Sequence, residues 1–403
     1  MSDITWAPLI PLIGGLPLGA EKATGKPPEA IYSYEGFEAN DGQYVNYQQE
    51  TLGRPIQYIP IDEGTNTPKK VNLVVATPPC AGLSQLNTGK DKSKKGADAE
   101  VNKWMYQSAI DGMTKFEADV IIGENAPALY TNKGQPVAER LLELARQHGY
   151  GMTLYKTTTS LHGVPQNRDR TFYIFWRGGK APIMNWYKKP RKNFKEYLQE
   201  IPKDATQQDL VINKIIGHTE PYYQFIQSKF EQDAKDVINE AGRNTAFSFV
   251  LKSGLLHEAK EWFEKTNNEK GVRQVNHALN KFSQGLGIWD GSTHVFGETM
   301  NAVIGRNLVD TIHPEEDRSL NIREALHMMA FPHDFELVGG LSKMNHIAQN
   351  VPVCTAASMV EEAIKFINGD LEMSNGDFVK QNNHNETIDV GSVEHNTLEE
   401  FFA

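Results

Sequence analysis

Three short segments carry residue types suited to covalent chemistry on an unreactive ring. Residues 72–84 read NLVVATPPCAGLS. An apolar run ends at Thr77 and hands the chain to Pro78, Pro79 and Cys80, so two rings stiffen the backbone that carries a thiol. A thiolate is a strong nucleophile, although a lone cysteine is more often a small buried hydrophobe. Residues 120–125, VIIGEN, form a second apolar run ending in a carboxyl and an amide at Glu124 and Asn125. Burial raises a carboxyl pKa and lets it donate a hydrogen bond, while a turn or helix cap is the plainer use of Glu-Asn. Residues 163–175, GVPQNRDRTFYIF, alternate Gln166, Arg168 and Arg170 ahead of an apolar run. In extended chain all three point to one face. Two guanidinium groups aimed together suit an anion or the carbonyl edge of a base, and ion pairing on an edge strand is the alternative.

The elements that must position these segments follow from periodicity. Apolar runs at 30–34, 71–76, 120–123 and 171–176 predict buried strands, and 136–148 predicts a helix with Val137, Leu141, Leu144 and Ala145 near one face and Gly149 as its stop. Strands alternating with amphipathic stretches predict an α/β fold, a doubly wound, mainly parallel sheet that gathers strand ends, and hence ligands, at one edge. Near residue 180 the chain turns polar and helical, with the clearest helices at 225–241 and 255–267. Helical α/β-type patterns return at 321–330 and 353–366. Residues 368–403 hold eight acids against Lys380, a charge of −7 that leaves −3 for residues 1–367 of the −10 total. That Asn-, Asp- and Glu-rich tail is expected to be disordered, with 398–402 as a short docking segment. No internal repeat is present.

Only two cysteines, Cys80 and Cys354, occur among 403 residues, which excludes a disulfide framework. Neither CxxC nor HExxH is present, so no metal site is expected. The first 20 residues are apolar but hold three prolines and three glycines and no basic residue, unlike a signal peptide or membrane helix. A soluble, intracellular protein is expected, with no membrane partner. Basic runs at Lys90, Lys92, Lys94 and Lys95, and at Lys188, Lys189, Arg191, Lys192 and Lys195, are suited to phosphates, although short basic runs are ordinarily solvated loops.

In order and spacing, Pro78-Pro79-Cys80 with Ser84, Glu124-Asn125-Ala126, and Gln166-Asn167-Arg168-Asp169-Arg170 resemble the PPC, ENV and QxRxR motifs of the DNA cytosine-5 methyltransferase family. The likeness extends to Gly14-Gly15 with Leu16-Pro17-Leu18-Gly19 and to Ile31-Tyr32-Ser33-Tyr34-Glu35. It also takes in Asn321-Ile322-Arg323-Glu324-Ala325 with Phe331-Pro332, and Gln349-Asn350-Val351-Pro352-Val353. It covers about residues 8–177 and 318–366. Departures cluster in the first motif: where the family reads DLFAGxGG this chain reads PLIPLIGG at 8–15, with Ile10 for the aromatic and Leu12 for the first glycine.

The resemblance implies a Rossmann-like methyltransferase core interrupted by a largely helical target-recognition domain. The expected layout is residues 1–178 for the first catalytic part, 179–317 for target recognition, 318–367 for the second catalytic part closing on the first motif, and 368–403 for the tail. It implies methyl transfer to C5 of a flipped-out cytosine in DNA, with Cys80 adding to C6, Glu124 binding the base, Arg168 supporting its O2 carbonyl and Arg170 standing behind them. It implies S-adenosylmethionine, or a modified form such as a carboxylated one, held by Ile10, Leu12, Gly14, Gly15, Glu35, Asp62, Pro79 and Asn350. Double-stranded DNA would be met by Ser84, Lys90, Lys92, Lys94, Lys95 and Gln166, with residues 81–103 as a mobile loop. A monomer in the cytoplasm of a bacterial or phage-infected cell fits such an enzyme. An RNA substrate, a variant donor and a non-catalytic DNA-binding relative remain open alternatives.

Overall fold

The structure is a computed structural model that describes residues 4–61, 68–84, 95–213, 220–288 and 294–391. The chain forms two compact units. One comprises Met1–Arg191, Met328–Val338 and Gln349–Ala403, the other Lys192–His327 and Gly339–Ala348. Residues 321–325, grouped in the sequence reading with the second catalytic part, lie in the second unit.

The first unit is built on nine strands: β1 (Trp6–Leu9), β2 (Ala30–Ser33), β3 (Gln57–Pro60), β4 (Leu73–Ala76), β5 (Val120–Asn125), β6 (Tyr150–Thr158), β7 (Asp169–Arg177), β8 (Phe378–Asn382) and β9 (Thr387–Gly391). Their order in the sheet is β9-β8-β6-β7-β5-β4-β1-β2-β3. From β3 to β5 all pairings are parallel. The run at 171–176 enters as β7, antiparallel to both β5 and β6, so the sheet is mixed where the sequence suggested mainly parallel.

Successive side chains of a strand point to opposite faces, and here both faces are covered. Val74, Ala76 and Ile121 pack with Met105, Ala109 and Met113 of α3 (Lys103–Thr114) and with Val137, Leu141 and Leu142 of α4 (Gln135–Gln147). Leu73, Val75, Val120 and Ile122 pack on the other face with Leu16 and Ala20 of α1 (Gly15–Thr24) and Ala356, Met359 and Val360 of α5 (Val353–Asn368). A β-carbon on Gly19 would stand 2.4 Å from that of Ala356, so α1 and α5 approach closely because residue 19 lacks one. Another helix, α2 (Glu38–Asn46), follows β2.

The acidic tail is not uniformly disordered: β8 and β9 extend the sheet. Phe378 and Val379 are fully buried on opposite faces. Asp377 pairs with Arg146 at 2.6 Å, and Gln381 bonds the backbone of Met184 through both ends of its amide. Composition counted these polar side chains as solvated, whereas each finds a partner where β8 covers the edge of β6. Residues 398–402 lie outside the described residues.

The second unit packs short helices around Tyr222, Tyr223, Phe225, Phe247, Phe249 and Phe263. The single helix expected at 225–241 is two, Pro221–Phe230 and Ala234–Glu240. Glu231 takes a left-handed backbone (φ 52°) that ends the first, and Asp233 accepts the Lys235 N–H to cap the second. Two more helices, Leu256–Lys265 and Glu269–Ser283, follow.

Candidate active site

Strand direction explains why distant motifs meet. The carboxyl ends of β4 and β5 and the amino end of antiparallel β7 fall at the same sheet edge, with Glu124 opposite Phe172 and Asn125 opposite Thr171. Beyond β4, the N–H groups of Leu83 and Ser84 both donate to the Cys80 carbonyl, at 3.1 and 3.0 Å, which folds residues 80–84 into a tight turn that starts at the cysteine. The Cys80 side is half-buried, as is Pro79. At the end of β5, the Asn125 side chain accepts the Ala126 N–H at 2.9 Å and so shapes the turn after Glu124.

Four ionisable side chains share this edge. Arg170 Nε lies 2.6 Å from Glu124 Oε1, with both side chains largely buried. Arg170 therefore touches the carboxylate directly, nearer the centre than the sequence placed it. Arg168 is fully buried and donates to the Asn350 carbonyl at 2.7 Å. Burial pushes the Cys80 thiol above its ordinary value and the Glu124 charge adds to this, while Arg170 and Arg168 oppose it. Burial also raises Glu124 against the same two guanidinium groups. For Arg168 burial and Arg170 lower the pKa, countered by Glu124 and Cys80. The site thus holds a thiol, a carboxyl and two cations that feel one another's charge.

A second cluster lies beyond β1. Ile10 and Leu12 both have a left-handed backbone, each at φ 53°, and Gly14 sits at φ 107°. Such a backbone is strained for non-glycine residues, β-branched Ile10 above all. Hydrogen bonds hold it: Ile10 N–H to the Tyr32 carbonyl at 3.1 Å, Leu12 N–H to Asp41 Oδ1 at 2.9 Å, and Gly14 N–H to the Pro11 carbonyl at 3.0 Å. The Leu12 side chain packs against the core. Asp41 is fully buried and also accepts the Tyr58 hydroxyl at 3.0 Å; burial first of all pushes its carboxyl up to about 6. Sequence reasoning missed Asp41, because the polar string EANDGQ gives no sign that one acid turns inward. Gly15 donates its N–H to Asn350 Oδ1 at 2.8 Å, and the Asn350 Nδ2 is buried without a hydrogen-bond partner. Glu35 stands exposed just past the carboxyl end of β2.

The residues expected to meet DNA divide. Ser84 and Lys95 line a cavity of about 590 Å³ together with Gly82, Leu83, Thr131 and Lys133. Gln166 does not face outward: it is buried, and its amide donates to the Met328 carbonyl. Asp62, Lys90, Lys92 and Lys94, and with the last three much of the 81–103 loop, lie outside the described residues. Among the described residues no group of three metal-ligating side chains occurs, and no helix is long and apolar enough to cross a membrane.

Comparison with known proteins bears on this geometry. The profile of the C-5 cytosine-specific DNA methylase family matches residues 5–365. The type II methyltransferase M1.HphI of Haemophilus parahaemolyticus is 20% identical over 298 residues, covering 74% of this chain and 69% of that one. Type II methyltransferase M.Bpa9945I of Bacillus paralicheniformis is 23% identical over 334 residues, covering 74% and 71%. Among solved structures, the Entamoeba histolytica methyltransferase EhMeth aligns with a TM-score of 0.52 at 12% identity, over 92% of this chain and 99% of that one, a likeness of fold.

Proposed function

Since the chain belongs to the C-5 cytosine-specific DNA methylase family, we propose that Cys80 is the nucleophile with which it methylates cytosine. The protein is a DNA (cytosine-5-)-methyltransferase. The observation that carries the residue assignment is the 2.6 Å Arg170–Glu124 pair at the sheet edge that also bears the half-buried thiol.

Cytosine C5 is a poor nucleophile until something adds at C6. The Cys80 thiolate forms a bond to C6, which places carbanion character on C5. C5 then takes the methyl group, the C5 proton leaves to solvent, and the C6–sulfur bond breaks to return the thiolate. Glu124, pushed toward its protonated form by burial, donates to N3 and accepts from the exocyclic amine. Protonating N3 draws electrons from C6, and thymine, with the reverse pattern at these two positions, is refused. Arg170 fixes the Glu124 carboxyl in place. Arg168, anchored on the Asn350 carbonyl, offers its guanidinium to the cytosine O2. The base must leave the duplex, at about a few kcal/mol. Duplex DNA is the substrate form that this extrusion requires, and Ser84 and Lys95, which line one cavity, would offer a hydroxyl and an ammonium to its phosphates.

The family uses S-adenosylmethionine, which when bound supplies an electrophilic methyl group. The residues present fit it. The partnerless Asn350 Nδ2 offers a buried donor to a carboxylate beside the start of α1, and the exposed Glu35 offers an acceptor to ribose hydroxyls. Ile10, Leu12 and Gly14 shape the loop between them, with Asp41 holding it from behind.

Trapping tests the assignment. Duplex DNA carrying 5-fluorocytosine cannot release its C5 substituent, so attack and transfer should leave a stable protein–DNA adduct. The wild-type protein is expected to give one and Cys80→Ser none. An adduct that persists in Cys80→Ser would remove Cys80 from the mechanism.

A further inference from the structure

Helix Glu269–Ser283 of the second unit has two sharply different sides. Val275 and Ala278 are buried, and Val272 and Leu279 pack against the aromatic core. At 100° per residue, Lys270, Arg273, His277 and Lys281 fall on the opposite side. Lys270, Arg273 and His277 are exposed and Lys281 partly so. Asn276 and Asn280, also exposed, flank this row. It holds no carboxylate, since the helix's single acid is Glu269 at its first position. The neighbouring helix Leu256–Lys265 shows what an ordinary solvated face of this unit looks like. It mixes Glu258, Glu261 and Glu264 with Lys260 and Lys265, and pairs Lys260 with Glu264 at 3.7 Å. In a protein of net charge −10, a helix face with cations and amides but no acid stands apart.

We propose that helix Glu269–Ser283 enters the major groove of the substrate duplex, with Arg273, His277 and Lys281 facing the DNA. The groove admits one α-helix, and a helix of this length spans about 22 Å, roughly two-thirds of a turn of duplex. Arginine and lysine contact phosphates or guanine edges, and asparagine is suited to adenine. The apolar side, locked into the second unit's core, keeps the polar side presented. This rests on the reading that the substrate is duplex DNA.

The test measures binding of duplex DNA across a salt series for the wild type, Arg273→Gln/Lys281→Gln, and a control with two equivalent losses of charge, Lys260→Gln/Lys265→Gln. Each lost phosphate contact lowers the salt slope by about 0.9. The Arg273→Gln/Lys281→Gln protein is expected to bind about tenfold more weakly, with a slope smaller by about 2, while the control stays at wild-type values. Amine labelling of the wild-type protein gives a second reading that needs no variant: DNA should shield Lys281 and leave Lys265 reactive. Unchanged affinity in the Arg273→Gln/Lys281→Gln protein, equal loss in the control, or full labelling of Lys281 in the complex each overturns the assignment. A wild-type protein that binds no duplex at all overturns the substrate reading and this assignment with it. Binding that survives the substitutions overturns this one alone.

Discussion

The side-chain oxygen of Asn350 accepts the backbone N–H of Gly15 at 2.8 Å, joining positions 335 residues apart. The segment after the second unit thereby returns to the first turn of α1. A β-carbon on residue 15 would stand 2.0 Å from the Val351 carbonyl oxygen and 2.8 Å from Asn350 Oδ1. Glycine here therefore makes room for the protein's own backbone. Gly15→Ala should force the two segments apart and cost about 1–3 kcal/mol, as overpacking does. Thermal melts check it. A Gly15→Ala protein that melts with the wild type would show that these segments do not touch.

The charges around Cys80 predict how its thiol reacts in the free enzyme. Burial and the Glu124 carboxylate both raise its pKa, and the two arginines lower it. The thiolate is the reactive form, so alkylation should still be gaining speed with pH at pH 9. Glu124→Gln removes a neighbouring negative charge, so Cys80 loses its proton more readily and should alkylate faster than in the wild type at pH 8. Arg170→Gln should slow it. Methyl transfer should fall in both variants. Iodoacetamide labelling read by mass spectrometry gives the rates, and a slower reaction in Glu124→Gln would place the carboxyl out of reach of the sulfur.

Asp41 gives a pH-dependent term to stability. Its folded-state carboxyl is pushed up to about 6 from an ordinary value of 3.8, chiefly by burial, with the Ser33 hydroxyl, the Leu12 N–H and the Tyr58 hydroxyl opposing and Glu38 adding the smallest push. A raised value means that folding favours the protonated form. The contribution is complete below about pH 4 and is lost as pH rises through 6. Asp41→Asn resembles the protonated acid, so its Tm relative to wild type should rise between pH 4 and pH 8, by the equivalent of roughly 2–3 kcal/mol. A difference that stays flat across that range would mean that Asp41 is solvated.

Strand ends explain which parts of the site the sequence discloses. Cys80, Glu124 and Arg170 each follow or open an apolar run, and apolar runs in an α/β chain become adjacent strands whose ends share an edge. Order and spacing therefore sufficed to group them. The Arg170–Glu124 contact was not legible, since it needs the antiparallel course of β7. Alternation misplaced Gln166 because the extended pair Gln166–Asn167 is not continuous with β7: the Arg168 N–H turns back to the Gln166 carbonyl at 3.1 Å, and the Gln166 amide donates to the Met328 carbonyl. Asp41 was hidden because a polar helix reads the same whichever of its acids is buried. The break at Glu231 was hidden because apolar residues continue on both sides of it.

The strands β8 and β9 were hidden by composition, and removing them should show what they do. Lys380, Gln381 and Asn382 are polar yet buried, because β8 lies parallel to β6 and exchanges backbone hydrogen bonds along it. Ending the chain at residue 372 would expose the edge of β6, strip Phe378 and Val379 from the two cores and leave Arg146 without Asp377. An uncovered edge strand is a template for aggregation, so the shortened protein should be poorly soluble or melt well below the full chain. Phe378→Ala isolates the core contribution from the edge, and deleting a fully buried ring costs about 3–5 kcal/mol. If Phe378→Ala unfolds at the wild-type temperature, the tail strands contribute nothing to the fold, and the acidic composition was the better guide to residues 378–391.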